Sequence, residues 1–257
     1  MTGSPFGATR TDPGLRRTLP GRGGALVTGS AKGIGRAIVL ALAGEGLDVA
    51  VHYRGSRREA ETVVALAEAA GVRAVALQAD VTDEREAHDL VDTAAAALGG
   101  LRVLVNNVGN YHKGPLAELD TGTWHHMFDS NLHATFYTCQ RAVPIMRAAG
   151  GGRVVNIGFT GAELLKARPA IVAYQIAKAG VILYTKALAR SEAANAITAN
   201  VVSPGVMENS VTKPMSEIPM GRTGSLEELV GAVRYFLGPD ASYVTGTHLE
   251  VAGGWNL

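Results

Sequence analysis

Short apolar runs alternate along this chain with longer segments in which apolar residues recur every three or four positions. Short runs rich in β-branched residues predict strands, and the longer period predicts helices. The predicted strands lie at 25–27, 49–51, 74–77, 103–105, 154–157, 198–202 and 248–251. Because these runs are apolar throughout, each strand is expected to be covered by helices on both faces. The pattern predicts an α/β protein with one doubly wound, parallel, seven-stranded sheet.

Two intervening segments carry more specific helix signals. One apolar stripe precedes the fourth strand: Ala87, Leu90, Val91, Ala94 and Leu98. Ser225 and Glu228 have the spacing of a capping box at a helix start. No Pro- or Ser-rich linker divides the pattern, so a single domain is predicted at 24–257. Residues 1–23 have no apolar period and are predicted to form a flexible N-terminal tail.

Composition narrows the class of protein. Of the 257 residues, 47% are hydrophobic and 18% are charged, which excludes a disordered chain. The net charge of +1 gives no overall field to attract nucleic acid or a membrane, so neither is expected as a partner. The single cysteine, Cys139, is expected in the core and favours a reducing compartment.

Targeting and metal signals are missing from the sequence pattern. No secretory signal is visible, and no apolar run approaches the ~18 residues of a membrane span. A cytoplasmic protein is therefore expected. The histidines do not have metal-ligand spacing, so no metal site is expected.

A glycine-rich turn follows the first predicted strand and leads into an apolar helix pattern. Its residues include Thr28, Gly29, Ser30, Lys32, Gly33, Ile34 and Gly35. Gly29 would permit the tight bend, Gly33 would let the backbone approach a pyrophosphate, and Gly35 would let helix and strand pack closely. Glycine also serves tight turns for steric reasons alone. Between a strand and a helix N-terminus, however, the turn predicts a dinucleotide site.

Basic and hydroxyl side chains follow the second predicted strand. Tyr53, Arg54 and Ser56 precede two more arginines, and Lys32 adds a charge within the glycine turn. A 2′-phosphate needs such partners, whereas NAD sites usually have an acidic residue there. NADP(H) is therefore the expected cofactor. The alternative is that the arginines only solvate the start of a helix.

Asp80 and Val81 follow the third predicted strand and are expected near the adenine. The Asp80 carboxylate suits an adenine amino group as hydrogen-bond acceptor. It equally suits the N-cap of a helix that starts near Asp83.

Tyr174 and Lys178 are four residues apart in a predicted helix, so their side chains share one face. A phenol with a pKa near ~10 is a poor acid or base at neutral pH, and a nearby ammonium is expected to lower that pKa. The pair is a candidate proton donor. The same spacing also occurs by chance in many helices.

The chain resembles the short-chain dehydrogenase/reductase family in five motifs that occur in the family's order. They are the glycine turn, Asn106-Asn107-Val108-Gly109, Asn131, the Tyr174/Lys178 pair and Ser203-Pro204-Gly205. The resemblance runs from about Gly24 to the C-terminus. It implies a single-domain Rossmann fold and reduction of a carbonyl by hydride from the cofactor.

The resemblance also implies roles for residues. Tyr174 would donate a proton to the substrate oxygen, Lys178 would lower the Tyr174 pKa and hold the nicotinamide ribose, and Asn131 would position a water. Two groups of residues would line the cofactor. Those on the adenosine side are Asn107 and Gly109, and those flanking the nicotinamide are Pro204, Gly205 and Val206.

The sequence departs from the family pattern in three places. The family serine that binds the substrate carbonyl aligns with Gly161 or with Phe159, and the nearest hydroxyl, Thr160, is the candidate replacement. Asn209 stands where a threonine often binds the carboxamide. The segment between Gly205 and Ile218, which usually forms a substrate lid, is short.

Two branches of the family are compatible with the sequence. Overall likeness favours the 3-oxoacyl-[acyl carrier protein] reductases, which act on an acyl-carrier-linked substrate. Tyr111 lies where the pteridine reductases have an aromatic residue that stacks on the pterin. Tyr111 and Phe159 are the expected substrate contacts. A third possibility, which the missing serine motivates, is a catalytically silent dinucleotide-binding protein.

Assembly is also expected from the sequence. The helix that carries Val181, Leu183 and Leu188 has apolar residues on more than one face. An interface would cover the excess apolar surface, so a homotetramer is predicted, with a homodimer as the alternative.

Overall fold

Seven parallel strands form one sheet in the order β3-β2-β1-β4-β5-β6-β7 in the computed structural model, which describes residues 23–256. The strands are β1 Gly24–Val27, β2 Val49–Tyr53, β3 Ala74–Gln78, β4 Leu101–Asn106, β5 Gly152–Ile157, β6 Ile197–Pro204 and β7 His248–Val251. All seven predicted strands are confirmed. The predicted tail at 1–23 lies, except for Gly23, outside the described residues.

Helices connect the strands in chain order. They are α1 Gly33–Gly44, α2 Arg57–Ala69, α3 Glu84–Leu98, α4 Thr121–Phe128, α5 Ala134–Ala148, α6 Val172–Glu192 and α7 Leu226–Leu237. A π-helical turn, Asp129–His133, joins α4 to α5. The predicted stripe on α3 is buried, and the Ser225/Glu228 capping box at the start of α7 is formed.

Two hydrophobic clusters cover the two faces of the sheet. Helices α1, α2 and α7 pack on one face around Ile38, Val63 and Leu229. Helices α3, α5 and α6 pack on the other around Leu90 and Cys139. The Cys139 side chain is fully buried, and burial raises the pKa of its thiol to about 12, as expected for a core residue. The doubly wound architecture is confirmed.

The chain reverses its direction of winding at β1 and β4, which are neighbours in the sheet. In open α/β sheets a crevice forms at such a point, outside the carboxyl ends of the strands. Because the strands are parallel, the residues that follow each of them come together at this one edge.

One stretch of the described residues, Pro169–Asn195, is long and apolar enough to span a membrane by length and composition. The sequence pattern did not predict it as a span, because Lys178 and Lys186 interrupt its apolar run. The stretch contains α6, which packs against β6 and buries Lys178. A helix buried in a protein core can be as long and as apolar as a membrane span, so length and composition do not distinguish the two.

Candidate active site

The glycine turn has the backbone geometry that the sequence predicts. Gly29 and Gly33 have φ angles of +63° and +55°, a region that disfavours residues with a Cβ. At Gly35 a Cβ would lie 2.5 Å from the carbonyl oxygen of Gly29, so only glycine lets α1 start this close to the turn that follows β1. Lys32 is the N-cap of α1, and its side chain makes no capping hydrogen bond. The first N–H groups of α1 are therefore free to bind an anion.

Two residues that were predicted to contact the cofactor hold this turn against β4. The hydroxyl of Thr28 accepts hydrogen bonds from the backbone N–H of Asn107 at 2.9 Å and of Val108 at 3.1 Å. The Asn107 amide donates in return to the carbonyl oxygens of Thr28 and Gly29, at 3.0 and 3.2 Å. These side chains fix the shape of the turn.

His52, in the neighbouring strand β2, supports the same turn. This role was not predicted from the sequence. Its Nδ1 accepts a hydrogen bond from the backbone N–H of Gly29 at 2.8 Å, and its Nε2 lies 3.1 Å from the carbonyl oxygen of Ala79. The hydroxyl of Ser30 accepts from the backbone N–H of His52. Burial lowers the pKa of His52, so the neutral ring is favoured. The available signal was a histidine inside an apolar strand.

The basic residues after β2 surround the start of α2. Arg54 is largely exposed and pairs with Asp80 at 3.4 Å, while Lys32 pairs with Glu59 at 2.7 Å. Ser56 is the N-cap of α2, and its hydroxyl makes no capping hydrogen bond. This end of the cleft thus offers exposed cations, a hydroxyl and a helix N-terminus.

Asp80 is held by its neighbours. Its carboxylate accepts hydrogen bonds from the backbone N–H and the hydroxyl of Thr82. Burial raises the pKa of Asp80, but these bonds and the Arg54 charge outweigh that effect and hold it below its usual value. The alternative role as a helix cap is wrong, because Asp83 caps α3 by accepting from the backbone N–H of Glu86.

Several predicted cofactor contacts have side chains that belong to the core. Among the apolar ones, Tyr53, Val81 and Val206 are buried. Tyr53 lies in the cluster under α1, α2 and α7, against which Ile34 is half-buried, and Val81 lies in the cluster on the other face of the sheet. Apolar side chains at strand ends pack under the helices, and this burial leaves the polar and glycine positions to line the cleft.

Tyr174 and Lys178 lie together on α6, with the Lys178 Nζ 5.9 Å from the centre of the Tyr174 ring. The Lys178 side chain is buried, and its Nζ donates a hydrogen bond to the carbonyl oxygen of Ile157 at 2.7 Å. Burial lowers the pKa of Lys178 to about 8. Burial also raises the pKa of Tyr174, and Tyr111 adds to the rise. The predicted lowering of the Tyr174 pKa is wrong for this structure, because removal from solvent favours the neutral forms of both groups.

Asn131 lies in the π-helical turn, and its side chain lies near Lys178. Its amide donates hydrogen bonds to the carbonyl oxygens of Met127 and Asn110, at 2.9 and 3.0 Å. Its Oδ1 is buried and makes no hydrogen bond among residues 23–256. A Cβ at Gly109 would collide with this oxygen and lie 3.2 Å from the Lys178 Nζ. The structure therefore brings together three distant motifs at one place.

An aromatic cluster surrounds Tyr174. The rings of Tyr111 and Phe159, both predicted substrate contacts, lie edge-on to the Tyr174 ring with centroids 5.0 and 5.2 Å away. The Trp255 ring lies 6.3 Å from that of Phe159. Sequence reasoning missed Trp255, because a residue next to the C-terminus gives no signal that it returns to the site.

Thr160 is not oriented toward Tyr174. Its side chain is fully buried, and its hydroxyl donates a hydrogen bond to the carbonyl oxygen of Ser203 at 3.2 Å. This geometry does not support its predicted role as a substitute for the family serine. Phe159 and Gly161, on either side of it, have no side-chain donor.

The segment after β6 closes the other wall of the cleft. At Gly205, which follows Pro204, a Cβ would lie 2.6 Å from the Ala252 Cα, so the chain passes closely here. The exposed Asn209 amide lies 3.5 Å from the position of a Cβ on Gly33, which places it opposite the glycine turn. Glu217 accepts a hydrogen bond from the Trp255 indole at 3.2 Å. The short segment is thereby tied to the C-terminal end.

Comparison with known proteins gives matches along most of the chain. A family model described as enoyl-(acyl carrier protein) reductase matches residues 29–256. The 3-oxoacyl-[acyl-carrier-protein] reductase FabG of Staphylococcus aureus is 36% identical over 239 residues, which cover 90% of this chain and 96% of that protein.

Solved structures are similar over the same range. A blue fluorescent protein from a metagenomic library, in complex with NADPH, has a TM-score of 0.85 and 36% identity, and the match covers 91% of this chain and 97% of that one. A short-chain dehydrogenase from Burkholderia cenocepacia, in complex with NADP, has a TM-score of 0.86 and 34% identity, covering 93% of this chain and all of that one.

The fold and the glycine turn define a dinucleotide-binding α/β protein. The chain belongs to the short-chain dehydrogenase/reductase family and is an oxidoreductase.

Proposed function

We propose that this protein is an NADPH-dependent reductase that transfers hydride to the carbonyl of a 3-oxoacyl thioester, with Tyr174 as the proton donor. The observation that carries the proposal is the meeting of Tyr174, Lys178 and Asn131 at the same edge of the sheet as the glycine turn. The alternative of a silent dinucleotide-binding protein requires none of these three side chains to come together.

The cleft suits a dinucleotide. The free N–H groups at the start of α1 and the positive φ angles of Gly29 and Gly33 suit a pyrophosphate, and Asn209 faces them across the cleft. The Asp80 carboxylate suits the adenine amino group. Bound NADPH would supply the hydride. The relatives described above whose structures contain NADPH or NADP support this choice of cofactor.

The 2′-phosphate has suitable partners at the start of α2. Arg54 is exposed despite its pairing with Asp80, and the Ser56 hydroxyl makes no capping bond. A dianionic phosphate attracts a guanidinium and a helix N-terminus at once. We infer that these groups select NADPH over NADH.

The neutral phenol of Tyr174 suits the proposed role of this residue as the proton donor. Burial favours its protonated form, so it holds its proton until negative charge develops on the substrate oxygen. Lys178, whose pKa burial lowers to about 8, lies beside it and is placed to return a proton or to hold a ribose hydroxyl. The unpaired Oδ1 of Asn131 suits a water in the same chain of proton transfer.

Two substrate classes remain to be separated by experiment. The name of the Staphylococcus aureus relative favours a 3-oxoacyl thioester. The exposed Tyr111 ring beside Tyr174 favours a flat ring such as a dihydropteridine as the second candidate.

The test is NADPH oxidation by the purified protein, with acetoacetyl thioester and dihydropteridine assayed in parallel. Tyr174→Phe is expected to lower kcat by about 10²- to 10⁴-fold, the usual contribution of a general acid, and to leave NADPH binding unchanged. Thr160→Val is the control, because the Thr160 hydroxyl is bound to the Ser203 carbonyl, and it should keep most of the activity. NADPH binding without turnover of either substrate would support the silent protein instead.

We also propose that the chain assembles as a homotetramer. The support is apolar surface on α5 and α6, where Phe136, Ile176 and Leu183 are exposed in the single chain. Light scattering of the purified protein tests the proposal.

A further inference from the structure

A cation without an ion pair among residues 23–256 lies on the ring of Phe159, which is a predicted substrate contact. The Arg168 side chain is half-buried, and its Cζ lies 5.4 Å from the centre of the Phe159 ring, which itself contacts the ring of Tyr174. Within residues 23–256 its guanidinium makes no ion pair and no hydrogen bond. A guanidinium held on an aromatic face and left without a carboxylate is available to a ligand.

A second donor without a partner lies beside it. The Asn256 Nδ2 is buried and makes no hydrogen bond among the described residues. A Cβ at Gly161 would lie 2.9 Å from the Arg168 Nη2 and 3.1 Å from the Asn256 Cβ, so both side chains converge on the space that glycine leaves open. Buried donors are normally satisfied, so the unsatisfied Asn256 Nδ2, next to a guanidinium without an ion pair among the described residues, indicates room for an acceptor.

The neighbouring carboxylates, Glu163 and Glu250, have other partners. Glu163 pairs with Lys186 at 2.6 Å and with His248 at 3.1 Å. Glu250 accepts a hydrogen bond from the backbone N–H of Gly161 at 2.6 Å. Neither carboxylate lies within ion-pair distance of Arg168.

We propose that Arg168 and the Asn256 amide form a subsite for a carboxylate on the substrate, beside the reacting carbonyl. The planar guanidinium matches a carboxylate in a bidentate geometry, and its contact with Phe159 fixes its plane. The rings of Tyr111, Phe159 and Trp255 take the apolar body of the substrate. The inference rests on the proposed reductase chemistry but points to a substrate class other than the thioester: free oxo acids are preferred to neutral oxo esters and thioesters of the same size.

Matched substrates test the charge requirement. NADPH oxidation is measured with acetoacetate, with methyl acetoacetate as its neutral counterpart, and with acetoacetyl thioester. Arg168→Gln is expected to lower kcat/KM for acetoacetate by about 10- to 100-fold, chiefly through KM, because a charge-assisted hydrogen bond is lost. The values for methyl acetoacetate should change less than about threefold, since that substrate places no charge at Arg168.

Three further variants test whether the preference for the charged substrate depends on the subsite. Arg168→Lys keeps the charge without the planar fork and should recover part of the preference. Asn256→Asp places a carboxylate at the subsite itself and should abolish the preference. Arg190→Gln removes an exposed arginine in the last turn of α6, at the other end of that helix from Tyr174, and should leave the preference unchanged. Equal selectivity in the original protein and in Arg168→Gln would overturn the proposal.

A binding measurement separates this inference from the proposed function. Calorimetry of the NADP-bound protein with benzoate, and with benzamide as the neutral isostere, requires no turnover. If no carbonyl compound oxidises NADPH but benzoate binds only when Arg168 is present, the reductase proposal fails and the subsite stands. If the thioester is turned over but benzoate binds equally to Arg168→Gln, the subsite fails and the reductase stands.

Discussion

His52 is the residue on which the glycine turn rests most directly. Its Nδ1 accepts from the Gly29 N–H, so its single ring proton lies on Nε2, facing the carbonyl oxygen of Ala79. Protonation of Nδ1 would remove the acceptor of the Gly29 N–H and place a charge in the core. The Asp80 carboxylate favours the protonated ring, but burial dominates, and the pKa of His52 is lowered.

The lowered pKa predicts a pH dependence of stability. The unfolded chain binds a proton at His52 as pH falls through about 6.5, while the folded chain does not. The His52 contribution to stability is therefore fully present above pH ~6.5 and is lost as pH falls from there toward the folded-state pKa, with a slope of at most about 1.4 kcal/mol per pH unit. Urea unfolding between pH 5 and 8 measures it.

The control for this prediction is His52→Asn. The Asn oxygen can accept from the Gly29 N–H near the position of Nδ1 but does not titrate. The variant should lose the component of the pH slope below 6.5 that His52 contributes. Identical slopes in the two proteins would show that other groups cause the dependence.

Some site residues were predictable because their chemistry is local in the sequence. Tyr174 and Lys178 are one helical turn apart, and the glycine turn is continuous. Arg168, Trp255 and the support by His52 depend on contacts between distant segments, which no spacing encodes. Thr160 shows the opposite case: its position in the sequence suggested a catalytic hydroxyl, but the loop turns that hydroxyl toward β6.

At the scale of elements, α1 depends on its close approach to the glycine turn that follows β1. A Cβ at Gly35 would lie 2.5 Å from the Gly29 carbonyl oxygen and 2.6 Å from the Asn107 Nδ2. Gly35→Ala is expected to push α1 away from the turn. It should lower stability by about 1–3 kcal/mol, as overpacking does, and weaken NADPH binding. Thermal unfolding and fluorescence titration with NADPH check both effects.

Gly231 provides the matched control. It lies within α7, and a Cβ there would meet nothing within 4 Å. Gly231→Ala should raise stability by about 0.5–1 kcal/mol, because alanine loses less backbone entropy in a helix. Equal effects of the two substitutions would mean that steric contact at Gly35 does not matter.

The strands and the apolar stripe of α3 followed from periodicity, and the start of α7 from the two side chains of the capping box. The π-helical turn between α4 and α5 did not, although it places Asn131 at the site. Such a turn changes the backbone hydrogen-bond pattern without changing the apolar period, so hydrophobicity alone does not reveal it.

At the scale of the whole molecule, the number and parallel direction of the strands were predictable because each connection contains a helix. Which strands are neighbours was not, since the apolar pattern of a strand does not identify its partner. The order was fixed by packing between distant segments. This order places β1 beside β4 and so decides where the crevice lies.

The surface of α6 leads to a prediction about assembly. Leu183 is 71% exposed, and it shares with Ile176 and with Phe136 of α5 an apolar surface that the single chain leaves uncovered. In a tetramer built through this surface, Leu183→Glu would bury an unpaired carboxylate and should shift the protein to smaller species in light scattering. Leu66→Glu, on α2 at the other face of the sheet, is a matched substitution and should leave the assembly intact. If the unmodified protein has the 26.7 kDa mass of one chain, the predicted tetramer is wrong.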